Sequence, residues 1–274
     1  MGFEDSNRYA EHNRLLWNEL TPIHARSEFY RLDAFKGGES SLNAAELGEV
    51  GQIAGKSLLH LQCHFGMDTL SWARLGARVT GVDISDDAIN LAKRLSQELD
   101  IPARFIRCNL YDLPGVLSGR FDVVFSSYGV LCWLPDLSRW AKMIERFLAT
   151  GGSFHLVEFH PYTSIFHDAI DDPALKPERS YFHEDQPVEW EPEGTYADRS
   201  VPVTNPSYEW SHSMADVVDS LIQAGLRLHN LREYSYSSHP IVPSMEQDSD
   251  GRWRLRGPHR DKLPLMFSLT ATRS

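Results

Sequence analysis

Short apolar runs alternate along this chain with stretches whose apolar residues recur at helical spacing. Runs that predict strands begin near Leu58, Ala77, Ile101, Phe121 and Ser153. The run at Leu58 is continuous, which is typical of a strand covered on both faces. The stretches between the runs fit amphipathic helices. Strands and helices that alternate at such short intervals predict a parallel sheet with right-handed crossovers.

The C-terminal part of the chain adds two more predicted strands. An amphipathic helix is expected over residues 214–224, followed by strands over 226–236 and 265–272. The link between these strands contains the turn signal Asp-Ser-Asp-Gly at 248–251. A strand reached through such a hairpin-like link would be antiparallel to the others. The predicted fold class is therefore α/β, a doubly wound, mostly parallel seven-stranded sheet with an antiparallel last strand.

The first strand and the turn after it predict a nucleotide pocket. Gly66 permits a close backbone approach just before a helix, and the next strand ends in Asp83, placed to accept hydrogen bonds from two ribose hydroxyls. A dinucleotide fingerprint needs three glycines to cradle a pyrophosphate, but Gln62 and His64 stand where two of them would be. A nucleoside without phosphates fits better, and S-adenosylmethionine is the commonest such cofactor. An ordinary strand–helix–strand unit without a ligand is the alternative.

Five segments in this order resemble the class I S-adenosylmethionine-dependent methyltransferases. The glycine-rich first motif of that family corresponds to residues 60–66, and its ribose-binding acid corresponds to Asp83. Its adenine-edge segment corresponds to 108–114, its Phe-Asp-x-Val strand to 121–124, and its Leu-x-Pro-Gly-Gly turn to 148–152. The first motif also resembles a bacterial subfamily with Leu-Gln-Cys-His-Phe-Gly, many of whose members act on small molecules.

This resemblance implies a Rossmann-like fold, the strand order 3-2-1-4-5-7-6 and S-adenosylmethionine as cofactor. It places Ile84 against the adenine. His60 stands in place of the usual acidic residue and Asn109 in place of Asp, so a degenerate, non-binding site is an alternative. The predicted cofactor-binding residues are Gln62, Cys63, His64, Gly66, Asp83, Ile84, Ser85, Asn109, Leu110, Tyr111, Ser126, Ser127 and Trp17.

Charge and composition narrow the class of partner. The chain has 274 residues, a net charge of −11 and a pI near 5.5, which argue against nucleic acid and against an anionic membrane surface. The acidic start at residues 1–5 and the lack of a long apolar run favour a cytoplasmic protein. Three cysteines without Cys-x-x-Cys spacing indicate neither a disulfide framework nor a metal site. A homo-oligomer is possible.

Two regions lie outside the expected sheet. Residues 1–50 are mostly helical and are expected to form a cap, while 51–274 form the methyltransferase domain. In the family such N-terminal helices often close over the cofactor; packing on the sheet flank is the alternative. Residues 160–212 are rich in Pro, Glu and aromatic residues and predict a lid over the acceptor, with extended pieces near 188–191 and 208–210. A solvated loop is the alternative.

The expected chemistry is direct in-line displacement of a methyl group onto a small-molecule acceptor. Such a reaction needs a base only if the acceptor must lose a proton, and His160 and His212 are the candidates. Tyr128, Trp133, Tyr208 and Trp210 are expected to bind the acceptor. For each histidine the alternative is a structural role, and for Tyr128 and Trp133 it is core packing.

The sequence leaves three functions open. The first is methyl transfer to a small molecule. The second is a non-catalytic protein of the same fold that acts through cofactor or partner binding. The third is a dinucleotide-dependent oxidoreductase, which the missing glycines disfavour. The acceptor atom stays undetermined, because oxygen, nitrogen, carbon and sulfur acceptors all occur on this fold.

Overall fold

A computed structural model describes residues 3–166, 176–192, 194–242 and 245–273, and in the first helix it describes side chains from Asn7 onward. The strands are β1 Ser57–Leu61, β2 Arg78–Asp83, β3 Ala103–Arg107, β4 Phe121–Ser127, β5 Leu148–Phe159, β6 Val188–Trp190, β7 Ser207–Glu209, β8 Leu226–Tyr234, β9 Glu246–Gln247, β10 Trp253–Arg254 and β11 Met266–Arg273. The α-helices are α1 Phe3–Arg26, α2 Leu32–Lys36, α3 Ala44–Val50, α4 Met67–Arg74, α5 Asp86–Glu98, α6 Leu113–Val116, α7 Leu137–Phe147, α8 Pro161–Ser164 and α9 Met214–Gln223.

Seven strands form one sheet in the order β3-β2-β1-β4-β5-β11-β8. β11 lies antiparallel to both β5 and β8, whereas β1 to β5 pair in parallel. This order confirms the predicted α/β class and its antiparallel last strand. Helices cover both faces of the sheet at β1, where Leu58, Leu59 and Leu61 have no exposed surface. The one buried polar side chain of β1, His60, has its Nδ1 2.8 Å from Thr69 Oγ1.

One helix boundary differs from expectation. The sequence predicts a helix over 137–148 that ends at a glycine cap formed by Gly151 and Gly152. Instead α7 ends at Phe147 and β5 begins immediately. Leu148 pairs with Phe121, and after a register shift Ser153 pairs with Val123, so both glycines belong to an irregularity in the strand. A Cβ on Gly152 would lie 2.9 Å from the Ala149 carbonyl oxygen.

The lid and the N-terminal helix pack against each other. β6 and β7 form the two predicted extended pieces, paired antiparallel, and α1 contacts both β7 and α5. Part of the predicted lid, residues 167–175 and 193, lies outside the described residues. Within the described ranges, the helices lack an apolar stretch long enough to cross a membrane.

Candidate functional site

The loop between β1 and α4 has a glycine-like backbone at positions without glycine. Gln62 and His64 have φ angles of 54° and 50°, and Gly66 has 81°. The left-handed conformation costs a non-glycine residue about 1–2 kcal/mol, so side-chain contacts must support it. Gln62 Nε2 donates to the Val130 carbonyl at 2.9 Å, and His64 is bonded to His24. Gln62 and His64 therefore adopt the left-handed backbone that glycine would adopt most easily.

Gly66 is required by the core beneath the loop. A Cβ at this position would lie 2.7 Å from Phe105 Cε1 and 3.0 Å from Ala92 Cβ. The close approach expected from the sequence is thus an approach to β3 and α5. A larger residue here would disturb both folding and the predicted cofactor loop, residues 62–66.

Asp83 closes the loop from the end of β2. Its Oδ2 accepts the backbone N–H of His64 at 2.8 Å, and its Oδ1 accepts that of Ser85 at 2.9 Å. Each carboxylate oxygen keeps further acceptor capacity for a hydroxyl group. Burial raises the pKa of Asp83 to about 6, and the backbone N–H donors oppose that shift.

The other predicted cofactor residues surround this loop. Ser85 caps α5. Asn109 Oδ1 accepts from Tyr111 N–H at 3.1 Å, and the Tyr111 hydroxyl donates to the Asp136 carbonyl at 2.9 Å, so both side chains first shape their own turn. Ser127 donates to Asp68 at 3.2 Å. Cys63 and Leu110 are buried, Ile84 is half-buried, and the buried Ser126 hydroxyl has no hydrogen-bond partner among the described residues.

Helix α1 lies over the carboxyl edge of β1 and β2. Asn18 Oδ1 accepts from the Ser85 hydroxyl at 2.7 Å, and Arg14 forms an ion pair with Asp86. The Trp17 ring meets the His64 ring edge-on with centroids 5.1 Å apart. The structure therefore brings Trp17 to the predicted cofactor loop.

A cavity of about 600 Å³ lies between α1, the lid and the ends of β4 and β5, and Trp17 is one of its lining residues. Its walls combine aromatic, apolar and charged side chains. They include Trp17, Trp133, Trp190, Trp210, Tyr196, Leu131, Val203, Phe267, Glu158, Arg179, Glu209, His160 and His212. The arrangement suits a small molecule with an apolar body and a few polar groups.

Two residues predicted to bind the acceptor, Tyr128 and Tyr208, do not line the cavity in the part of the chain that the structure describes. Tyr208 packs against Tyr9, and its hydroxyl donates to Glu189 at 2.9 Å; its β7 neighbours Ser207 and Glu209 contribute to the walls instead. Tyr128 has a left-handed backbone and packs against His239. Trp133 and Trp210 do line the cavity.

His160 reaches the cavity with both ring nitrogens engaged. Its Nδ1 accepts the Tyr162 N–H at 3.1 Å and thereby caps α8, and its Nε2 lies 2.8 Å from Glu233 Oε1. The first bond places the ring proton on Nε2, which then donates to Glu233. Burial lowers the pKa of His160, and Glu233 opposes this. These contacts favour the structural alternative for this histidine.

His212 is differently placed. Its Nε2 donates to the Leu134 carbonyl at 2.6 Å, which leaves the lone pair on Nδ1. Its ring stacks on His183 with centroids 4.9 Å apart. Burial lowers its pKa to about 4, so the ring is neutral and able to accept a proton, although it is a weak base.

The charged cavity residues Arg179 and Glu209 do not belong to the sequence-based candidates. The Arg179 side chain is only 11% exposed and lies 3.5 Å from Glu209. Its Nε donates to the Ser164 carbonyl at 2.6 Å, which fixes the guanidinium. No local motif marks either residue, because separate parts of the lid bring them together.

His24 and Thr195 do not belong to the sequence-based candidates either. For His24, the spacing from Trp17 could have indicated its place. His24 follows Trp17 by seven positions on α1, which places both on one helix face. The two rings meet edge-on.

Residues 59–156 match the family model described as a methyltransferase domain. These residues contain the loop, Asp83 and the β4 segment described above. Residues 59–156 therefore form a methyltransferase domain. The cofactor of this methyltransferase domain is S-adenosylmethionine.

Curated relatives carry the same kind of domain. The ubiquinone biosynthesis O-methyltransferase of Proteus mirabilis is 26% identical over 152 residues, which cover 49% of this chain and 62% of the relative. An uncharacterized methyltransferase of Synechocystis is 32% identical over 45% of this chain and 57% of the relative. The chain thus spans about 60% of the length of these relatives.

Solved structures share the fold of this chain. The magnesium protoporphyrin IX methyltransferase of Synechocystis with bound SAH superposes with a TM-score of 0.56 at 17% identity, covering 97% of this chain and 99% of that one. A SAM-dependent methyltransferase of Methanosarcina mazei gives 0.54 at 20% identity, covering 85% and 98%.

Proposed function

We propose that this protein transfers the methyl group of S-adenosylmethionine to a small-molecule acceptor by direct in-line displacement. The observation that carries the proposal is the position of Trp17 between the predicted cofactor loop, residues 62–66, and the walled cavity. Trp17 belongs to both, because its ring packs on His64 and also lines the cavity. Cofactor and acceptor would therefore be neighbours.

The residues of the loop fit this cofactor. Gln62 Oε1 and His64 Nδ1 are buried and have no hydrogen-bond partner among the described residues. Buried polar atoms are rarely left unpaired, so these atoms favour a polar ligand at the loop. Asp83 would accept hydrogen bonds from the ribose hydroxyls, while the side chains of Gln62 and His64 stand where a dinucleotide fold needs glycines for the close approach of a pyrophosphate. This favours the methyltransferase reading over the oxidoreductase one.

S-adenosylmethionine supplies a methyl group that is already activated by its sulfonium. The protein must hold the acceptor about 3–3.5 Å from that carbon, in line with the bond that breaks, and keep water out. Trp133 and Trp210 would hold a planar or apolar acceptor. His212 Nδ1 is our candidate to accept an acceptor proton, in preference to His160, whose nitrogens are engaged.

The relatives support a small acceptor. The Proteus mirabilis relative is named as acting in ubiquinone biosynthesis, and a structural neighbour is named for magnesium protoporphyrin IX. The chain's net charge of −11 is consistent with this, because a nucleic-acid acceptor would call for a basic face.

The proposal is tested by calorimetric titration with S-adenosylhomocysteine (SAH), the demethylated form of the cofactor. A screen of candidate acceptors with labelled S-adenosylmethionine follows. We expect SAH to bind and at least one small molecule to become labelled. SAH binding without transfer to any acceptor would favour the non-catalytic alternative. Binding of NADH but not of SAH would contradict the cofactor assignment.

A further inference from the structure

Three side chains from separate parts of the chain form a continuous hydrogen-bonded series. His24 on α1 is fully buried. Its Nδ1 lies 3.0 Å from Nε2 of His64 in the cofactor loop, and its Nε2 lies 2.7 Å from Oγ1 of Thr195 in the lid. The lid and the cofactor loop are thus joined through one imidazole.

The partners of this series favour one of its two directions. Thr195 Oγ1 accepts the Ala197 N–H at 3.1 Å, and its own hydroxyl proton is satisfied when it is donated to His24 Nε2. The His24 proton then lies on Nδ1 and is donated to His64 Nε2. This leaves the His64 proton on Nδ1. Burial lowers the pKa of both histidines, that of His24 to about 3, so both rings are neutral.

The series ends at a donor that needs an acceptor. His64 Nδ1 is buried and has no hydrogen-bond partner in the described part of the chain. A buried donor without a partner is unfavourable, whereas the outer end of the series, at Thr195, is satisfied. A ligand oxygen at the loop would complete the series.

We propose that His64 Nδ1–H donates to an oxygen of the bound cofactor, and that the Thr195–His24–His64 series couples cofactor binding to closure of the lid over the acceptor cavity. The inference rests on the proposed function. The oxygen belongs either to the ribose or to the amino-acid carboxylate of the cofactor. His24 is a positioning residue in this scheme, because it acts through His64.

Coupling of this kind is reciprocal. If the lid bond strengthens cofactor binding, cofactor binding must stabilise the lid by the same free energy. A neutral hydrogen bond corresponds to about a two- to tenfold effect on a binding constant. The effect must therefore appear both in cofactor affinity and in lid protection.

Two threonine substitutions in the lid provide a matched test. Thr195→Val removes the lid end of the series, whereas Thr204→Val removes a different lid bond to the same helix, from Thr204 Oγ1 to Glu19 at 2.8 Å. We expect Thr195→Val to weaken SAH binding about two- to tenfold and Thr204→Val to leave it unchanged, by calorimetry on variants with wild-type circular dichroism.

Hydrogen exchange supplies the reciprocal measurement. SAH should slow amide exchange in residues 194–210 of the wild type, and this protection should be reduced in Thr195→Val. In a His64→Ala background, Thr195→Val should have no further effect on SAH affinity. Methylthioadenosine, which lacks the amino-acid group, distinguishes the oxygens: its affinity falls in Thr195→Val only if the ribose is the acceptor.

Equal SAH affinity in wild type and Thr195→Val, or an equal loss in both threonine variants, would overturn the coupling. Additive effects of Thr195→Val and His64→Ala would do the same. These results leave the proposed function intact, because that proposal fails only if the wild type does not bind SAH or transfers no methyl group.

Discussion

Asp83 organises the cofactor loop at the scale of a single residue. Its two oxygens accept backbone N–H groups from both sides of the site, at His64 and Ser85. In the proposed function the same carboxylate faces the ribose, so it would preorganise the loop for the proposed cofactor. Its loss should therefore reduce affinity both directly and through disorder of the loop.

We expect Asp83→Ala to weaken SAH binding by about 1.5–3 kcal/mol, or roughly ten- to a hundredfold, because hydrogen bonds to a charged group are lost. Calorimetric titration measures this. Unchanged SAH affinity in a folded variant would contradict the assignment of the ribose to Asp83.

A pH dependence follows from the same residue. The pKa of Asp83 in the folded protein, about 6, lies above the usual value of 3.8. The folding stability of the ligand-free protein should therefore fall as the pH rises from about 4 to 6, because the buried carboxyl is then ionised. Cofactor binding favours the ionised form, so SAH affinity should fall by up to about tenfold per pH unit below 6. The control is Asp83→Asn, whose weaker affinity should not vary over this range.

Gly66 gives a prediction about stability. Gly66→Ala should destabilise the protein by about 2–4 kcal/mol, from left-handed backbone strain and overpacking against Phe105. Urea unfolding measures this, and Phe105→Leu in the same chain should recover part of the loss. A wild-type unfolding midpoint would show that the core beneath the loop can adjust.

The sequence predicts the positions of Asp83 and Gly66 because both follow from a strand–turn–helix pattern. It does not predict that a side chain at position 66 would collide with Phe105, because that contact joins β3 to the loop. The partners of His160 are equally non-local: one is Glu233 on β8. Residue types identify candidates, but distant neighbours decide which nitrogens are free.

At the scale of elements, α1 connects the two halves of the site. Asn18 of this helix accepts a hydrogen bond from Ser85, which follows β2. Glu19 accepts hydrogen bonds from Thr204 and Asn205 of the lid. Asn13 exchanges two bonds with the backbone of Tyr208. The sequence predicts a helix and a lid, but the partners lie some 190 positions apart, beyond the reach of local periodicity.

The two candidate histidines belong to different elements and should respond differently. His212→Ala should lower kcat by about 10²–10⁴ for an acceptor that must lose a proton, with SAH affinity unchanged. His160→Ala should leave the rate of the folded protein unchanged but cost about 1 kcal/mol of stability through loss of the α8 cap. Rates with labelled cofactor and urea unfolding test both. Full activity of His212→Ala would show that positioning alone suffices.

The whole molecule should report its cofactor through thermal stability. At a hundredfold excess over Kd, SAH should stabilise the folded state by about 2.7 kcal/mol and raise Tm by about 5–11 °C for a chain of this size. NADH should leave Tm unchanged. The Asp83→Ala variant should show a smaller rise in Tm than the wild type at the same SAH concentration. A shift with NADH alone would contradict the predicted cofactor.

The sheet order has a consequence for synthesis of the chain. β11 separates β5 from β8, and it begins at Met266 whereas β8 ends at Tyr234. A growing chain therefore produces β8 before the strand that joins it to the sheet, and β5 keeps an open edge until β11 emerges. Unpaired edges invite pairing with other chains. Ribosomes that stall just before Met266 should release aggregation-prone products, although nearly all of the proposed site has been made.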